Sequence, residues 1–139
     1  MRVRVKHGVA DRITFQRASV KEFPGTYDPV AFFDCLHDMG DPIGVAAHVK
    51  SSSKTDGTWM PVEPFASNRM SDNLNPVGRL LYSASAQICV PASLPQEVGL
   101  ALGTQAGEAR LREALEDGRF SRVRRAAVTP FNLVLEAQP

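Results

Sequence analysis

The stretch DPVAFFDCLHDMGDP, from Asp28 to Pro42, limits what this chain can fold into more than any other. Val30, Ala31, Phe32 and Phe33 form a short continuous apolar run, the pattern of a buried strand. Asp34, Cys35, His37, Asp38 and Asp41 follow at once, so polar chemistry crowds into the loop after that strand. In open α/β sheets, ligands settle in the crevice outside the carboxyl ends of the strands. His37 has Asp34, Asp38 and Asp41 close by in sequence, and a neighbouring carboxylate both orients an imidazole and raises its pKa. His37 is therefore the first candidate for a functional residue.

With 139 residues the chain has room for one domain and not for two. Hydrophobic residues at 43% and charged residues at 22% match a globular protein rather than a disordered or fibrous one. The 16 basic and 15 acidic side chains leave a net charge of +1, which argues against nucleic acid or an acidic surface as partner. Cys35 and Cys89 lie far apart and form no C-x-x-C pair, the usage of a reducing compartment. The opening MRVRVKHGV has basic residues with no apolar run behind them, so it does not read as a secretory signal, and no stretch reaches the length of a membrane span. The expectation is a cytoplasmic protein without membrane contact.

Along the chain, Arg2-Val3-Arg4-Val5-Lys6 alternates as a short strand would. Ile13 to Ala18 predicts a second strand by the same alternation, and Phe23-Pro24-Gly25 turns the chain toward the central stretch. Asp41-Pro42 is a helix start: the aspartate accepts from free amides as N-cap, and proline suits the first helical position. Ile43, Ala46, Ala47 and Lys50 share one face of that helix. Asp56-Gly57 turns into a strand from Thr58 to Glu63 in which Trp59 reads as core and Pro61 is out of place for a central strand. Asn75-Pro76 repeats the cap-then-proline device, and Val77, Leu81, Ala84 and Ile88 fall on one helical stripe that should stop at Pro91. Ser93 and Gln96 resemble a capping box opening a short helix. Gly99, Gly103 and Gly107 space out a segment expected to be flexible.

Glu108 to Asp117 predicts a helix with Leu111 and Leu115 inward, a Glu108–Arg112 pair, and Gly118 as its stop. Phe120 to Val128 and Phe131 to Ala137 alternate around Thr129-Pro130, the pattern of an antiparallel hairpin. The alternation of strands and helices predicts an α/β protein. Its parallel core would come from the strands near Ile13, Val30 and Thr58, and its C-terminus would be the hairpin.

An acid-ended strand running into L-H-D-M-G-D-P, then a helix, a D-G turn and a strand ending V-E-P, resembles the second half of a class I S-adenosylmethionine-dependent methyltransferase. Within that superfamily it is most similar to the small-molecule O-methyltransferase-like branch. The resemblance continues through NLNPVGRLLYSASAQICVP, EVGLALGTQAGEARLREAL and TPFNLVLEAQP, and so runs from Ala10 onward. It implies an incomplete Rossmann-like fold with parallel core strands and a C-terminal antiparallel hairpin at one edge. It puts His37 in the position of the general base on the acceptor hydroxyl, and Glu63 in that of its support.

The resemblance also implies S-adenosylmethionine as cofactor and a small-molecule methyl acceptor. Of the family's cofactor contacts it retains the backbone around Phe33, Asp34, Cys35 and Leu36. Ser19 stands where an acid usually meets the adenine amino group, and a serine accepts a hydrogen bond without carrying charge. The glycine-rich turn that lets the family's backbone approach the cofactor has no counterpart, since the sequence contains no G-x-G. The implied domain, residues 1–139, is thus a partial one lacking the first two strands, with little independent cofactor binding or turnover. Strand edges left unpaired in this way invite self-association or pairing with a separate N-terminal half. At the N-terminus the family has the end of a helix and a G-V-A-D-R turn, Gly8 to Arg12, against the strand that alternation suggests there.

Each of these residues also has a plainer reading. His37 also reads as a loop histidine bonded to Asp38 or to a capping carbonyl, and Glu63 as an ordinary acid before Pro64. Cys35-x-His37 with Asp38 and Asp41 is a weak metal signal, because zinc needs three or four convergent ligands, and no metal is expected. A Cys35 nucleophile would need a third orienting group and an oxyanion site. Arg119, Arg122, Arg124 and Arg125 form either a phosphate patch or the solvated face of an edge hairpin, with Glu113, Glu116 and Asp117 to balance them. Two functions stay open: methyl transfer, or a non-catalytic module that binds through its strand edges.

Overall fold

In the computed structural model, which describes residues 10–139, the apolar run forms strand β1 (Val30–Phe33). It lies parallel to β2 (Trp59–Pro64), with Val30 opposite Trp59 and Phe33 opposite Val62. Helix α1 (Pro42–Ser51) makes the crossover between them. The C-terminal strands β3 (Arg122–Val128) and β4 (Asn132–Gln138) form an antiparallel hairpin, with a bulge between Arg125 and Ala127. Strand β4 also pairs antiparallel with β2, so the sheet order is β1-β2-β4-β3. The α/β class, a parallel pair and the terminal hairpin are as the sequence predicts.

Both proline-led helix starts are present. Asp41 Oδ1 accepts from Gly44 N at 2.8 Å, and Asn75 Oδ1 accepts from Gly78 N at 2.9 Å. The buried face of α1 is Pro42, Val45, Ala46 and Val49 rather than the expected set, and Ala47 is exposed. Helix α1 packs against a later helix whose C-cap is Gly118, and a Cβ on that glycine would come within 2.3 Å of Ala46 Cβ. Ala46 is thus the point of closest approach, and the three- and four-residue spacings around it define the buried stripe. Gly118 has an ordinary φ of −73°, so this crossing, and not a left-handed turn, is what requires glycine there.

Pro61 does lie in a central strand. The ladder between β2 and β4 pairs Trp59 with Ala137 and Val62 with Val134 but skips the two positions between, where proline has no amide to donate. The strand expected at residues 13–18 is not formed. Among the described residues β1 is paired only with β2, this segment does not join the free edge of β1, and Ile13 and Phe15 remain 43% and 64% exposed. Alternation without a ladder partner does not make a strand. The alternating Met1–Lys6 segment lies outside the described residues, and Ala10–Arg12 forms one 3-10 turn.

Pro91 does not end its helix. Helix α2 (Pro76–Ala84) runs on through a π turn (Ser85–Cys89) into α3 (Val90–Ser93). The wide turn, closed by Val90 N donating to Ser85 O, carries the chain past a residue with no amide. Its extra residue also breaks the expected stripe: Ile88 is 65% exposed, while Gly78, Ser85 and Cys89 are buried. Ser93 and Gln96 open no helix. Ser93 Oγ donates to Met39 O at 3.0 Å, and Gln96 donates to Asp38 O at 3.0 Å and accepts from Gly40 N at 2.8 Å. Together they clamp the loop that follows β1.

The glycine-spaced segment is packed rather than loose: Gly99, Gly103 and Gly107 all have left-handed φ, and Leu102 between them is 1% exposed. Helix α4 (Gly107–Asp117) buries Leu111 and Leu115 against the sheet as expected, and its Glu108–Arg112 pair closes at 2.8 Å. Trp59, fully buried, meets the rings of Phe32 and Phe120 at centroid distances of 5.1 and 5.3 Å. Each such leucine contributes about 1.5–3 kcal/mol by leaving water.

Candidate active site

Parallel pairing brings the carboxyl ends of β1 and β2 side by side. Past Phe33 the chain turns sharply through Asp34, whose φ of 46° aspartate tolerates better than most residues. A single 3-10 turn, Leu36–Asp38, follows, and it starts with free amides. Strand β2 supplies their acceptor. Glu63 Oε1 accepts from Leu36 N at 2.9 Å and Cys35 N at 3.3 Å, and Oε2 accepts from His37 N at 3.3 Å. A side chain of one strand thereby caps the helical turn that leaves its neighbour.

His37 Nδ1 stands 2.5 Å from Glu63 Oε2, and the two residues are 4% and 1% exposed. With Nδ1–H donating to the carboxylate, Nε2 is left with its lone pair. Burial alone pushes the His37 pKa down, but the Glu63 hydrogen bond and the charges of Glu63, Asp38 and Asp34 outweigh it and the net shift is upward. Asp38 Oδ1 lies 3.2 Å from Nε2. Cys89, from the π turn, also reaches Asp38, and burial followed by that carboxylate pushes its thiol up to about 11. Both cysteines are free thiols.

The residues expected at a cofactor do not all come together. Phe33 is 64% exposed and Asp34 is exposed, its carboxylate accepting from Asn132 Nδ2 at 3.3 Å. Cys35 and Leu36 have already given their amides to Glu63, and Leu36 is fully buried. Ser19 Oγ accepts from Lys21 N at 3.3 Å. It lines a cleft of about 130 Å3 with Met39, Gly40, Asp41 and Gln96, which none of Phe33 to Leu36 reaches. A cavity of about 110 Å3 beside α2, lined by Phe65, Asn73, Leu81, Tyr82 and Pro130 among others, is likewise not lined by His37 or Glu63.

Sequence spacing had no means of finding Cys89 beside Asp38, or the loop clamp by Gln96, because both contacts span dozens of residues. Two arginines of β3 have partners, though not those expected from sequence. Arg124 Nε donates to Glu136 at 2.9 Å and Arg125 Nε to Glu108 at 2.6 Å. Among the described residues no helix is long and apolar enough to cross a membrane.

The sheet order, the terminal hairpin and a histidine loop after a parallel strand give this chain the fold seen in S-adenosylmethionine-dependent O-methyltransferases. Three solved structures illustrate the likeness. An O-methyltransferase family protein of Burkholderia thailandensis matches with a TM-score of 0.65 at 16% identity, over 94% of this chain and 37% of its own. The mitomycin 7-O-methyltransferase MmcR matches at 0.62 and 18% identity, over 95% and 36%. Human N-acetylserotonin methyltransferase, in complex with SAM, matches at 0.62 and 16%, over 92% and 34%. The chain therefore spans about a third of the length of these proteins. No family model matches its sequence, and no curated protein does.

Proposed function

We propose that this chain is the C-terminal part of an S-adenosylmethionine-dependent O-methyltransferase domain acting on a small-molecule hydroxyl, with His37 as general base and Glu63 as the residue that positions it. The observation that carries the reading is the buried 2.5 Å contact between His37 Nδ1 and Glu63 at the carboxyl ends of two parallel strands. Glu63 fixes the ring and its tautomer, and Nε2 then accepts the proton of an acceptor hydroxyl. The cofactor supplies the methyl group.

The described residues do not fit that cofactor unaided. Phe33 and Asp34 face outward, but the amides of Cys35, Leu36 and His37 are already donated to Glu63. We infer that strands and a glycine turn from outside the described residues complete the crevice, and that these residues alone turn over no substrate. Calorimetric titration of the isolated chain with S-adenosylmethionine tests this directly, with no micromolar binding expected. Co-expression with an N-terminal half should restore methyl transfer, and His37→Ala should abolish it without dissociating the complex. Turnover by the isolated chain would overturn the proposal.

The raised pKa of His37 sets the sign of two pH effects. The protonated ring is favoured in the fold, so its contribution to stability is full below about 6.5, the ordinary histidine value, and is lost as pH rises through the higher folded value. A base must be neutral, so methyl transfer should climb over that same range above 6.5. A pH–rate profile of the reconstituted pair checks this.

A second reading draws on β1 being the terminal strand of the sheet among the described residues. Its open edge suits association of the chain with itself, without catalysis. In that case His37→Ala changes nothing that the assays read.

A further inference from the structure

We propose that His37, Asp38 and Cys89 form the binding site of a single zinc-like divalent cation. One ring nitrogen, one carboxylate oxygen and the Cys89 Sγ lie within 4.8 Å of one another. Ligand atoms on a tetrahedral zinc stand roughly 3.3–3.8 Å apart, given zinc–nitrogen and zinc–sulfur bonds of about 2.0 and 2.3 Å. The three atoms therefore need to close by only about an ångström.

The outer partner of the site is already in place. A metal-bound histidine almost always donates its other ring N–H to a carboxylate, which orients the ring and strengthens it as a ligand. Glu63 makes that contact with Nδ1, so Nε2 points its lone pair toward Asp38. Asp38 Oδ1 gives the independent sign of a missing ligand. It is a buried oxygen without a hydrogen-bond partner, although Nε2 is 3.2 Å away, so the ring does not satisfy it. A positive charge is needed between Nε2 and Asp38 Oδ1; a ring proton can supply it at low pH, but only a metal cation meets the nitrogen, the oxygen and the sulfur at once.

The donor set of imidazole, carboxylate and thiol selects a borderline-soft ion such as Zn2+ or Co2+ over Mg2+ or Ca2+. On binding, Cys89 becomes a thiolate and its proton leaves to solvent. Three protein ligands leave a fourth position for water or an added ligand. Cys35 is not among the converging groups, and Asp41 is held by Gly44 N and Lys21. A cation on Nε2 would occupy the lone pair that the proposed general base needs, so cation binding and methyl transfer exclude each other at His37.

The test is titration of the metal-free chain with Zn2+ by calorimetry and with Co2+ by absorption. One equivalent should bind, and Co2+ should give a near-ultraviolet sulfur-to-cobalt charge-transfer band. The chain has two cysteines, so the band should persist in Cys35→Ser and vanish in Cys89→Ser. Asp38→Asn should weaken Zn2+ binding by roughly 10-fold or more. Far-ultraviolet circular dichroism establishes that each variant is folded. Should Cys89→Ser fail to fold, Zn2+ should still protect Cys89 of the unaltered chain from alkylation, as mapped by mass spectrometry. Absence of binding, a charge-transfer band retained in Cys89→Ser, or unprotected Cys89 in the presence of Zn2+ would each overturn the proposal.

Discussion

The two outer strands of the sheet are both edges, and they are made differently. Strand β3 carries three arginines along its exposed length, with Arg124 paired to Glu136 and Arg125 to Glu108. Its bulge between Arg125 and Ala127 further breaks the straight run of amides. Strand β1 has no charge within it at all: Val30, Ala31, Phe32 and Phe33, with Phe33 64% exposed. Charged side chains and bulges are how a sheet ends for good, and a flat apolar edge is how it invites another strand. One edge is finished and the other is built to be continued.

Removing what holds the open edge should have the largest effect. Glu63→Ala takes away the acceptor of three amides from the loop after β1 and leaves His37 without its buried partner. It should cost about 3–5 kcal/mol in a urea melt, the penalty for breaking a buried pair on one side. A loss under about 1 kcal/mol would mean that the β1 end is held by its ladder alone. Phe33→Lys should turn β1 into an edge like β3. If the isolated chain self-associates through that strand, light scattering should report a shift to monomer with little change in melting temperature.

Asp41→Ala removes the N-cap of α1 and the partner of Lys21. The expected cost is about 1 kcal/mol. Lys21 and then the Gly44 amide hold the Asp41 carboxyl below its usual range against the effect of burial. That contribution should fade as pH falls through the lowered value, which thermal melts at graded acidity can read. The smallest effect belongs to the finished edge. Arg124→Ala breaks an exposed pair and should cost about 0.2–1 kcal/mol, with no change in mass by light scattering. A larger loss would make the arginine ladder part of the fold's support rather than its boundary.

Local chemistry was readable from the chain. Asp41-Pro42 and Asn75-Pro76 start helices because a cap and a proline act within four residues, and the hairpin around Thr129-Pro130 is legible for the same reason. Pro91 misled, since a π turn can carry a helix past a missing amide. Residues 13–18 misled too, since alternation says which faces a strand would have and not whether a neighbour exists. The pairing of His37 with Glu63 came from resemblance to a family, because 26 residues separate them and no spacing rule joins them. Cys89 beside Asp38 was illegible from either source: it depends on where one wide helical turn aims a thiol.

That wide turn divides one rod into two differently aimed halves. Upstream, Gly78 lets the rod lie against Asn73, where any Cβ would meet Asn73 O at 1.8 Å. Downstream, Ser93 reaches Met39 and holds the histidine loop. A regular helix of the same length would keep one azimuth throughout and satisfy only one of these neighbours. The single inserted residue works as an angular offset, and so the length of this helix, counted in residues, is as constrained as its composition. Deleting Gln87 would preserve every side chain named above and still rotate Ser93 off Met39, removing one clamp from the histidine loop and leaving Glu63 to hold it.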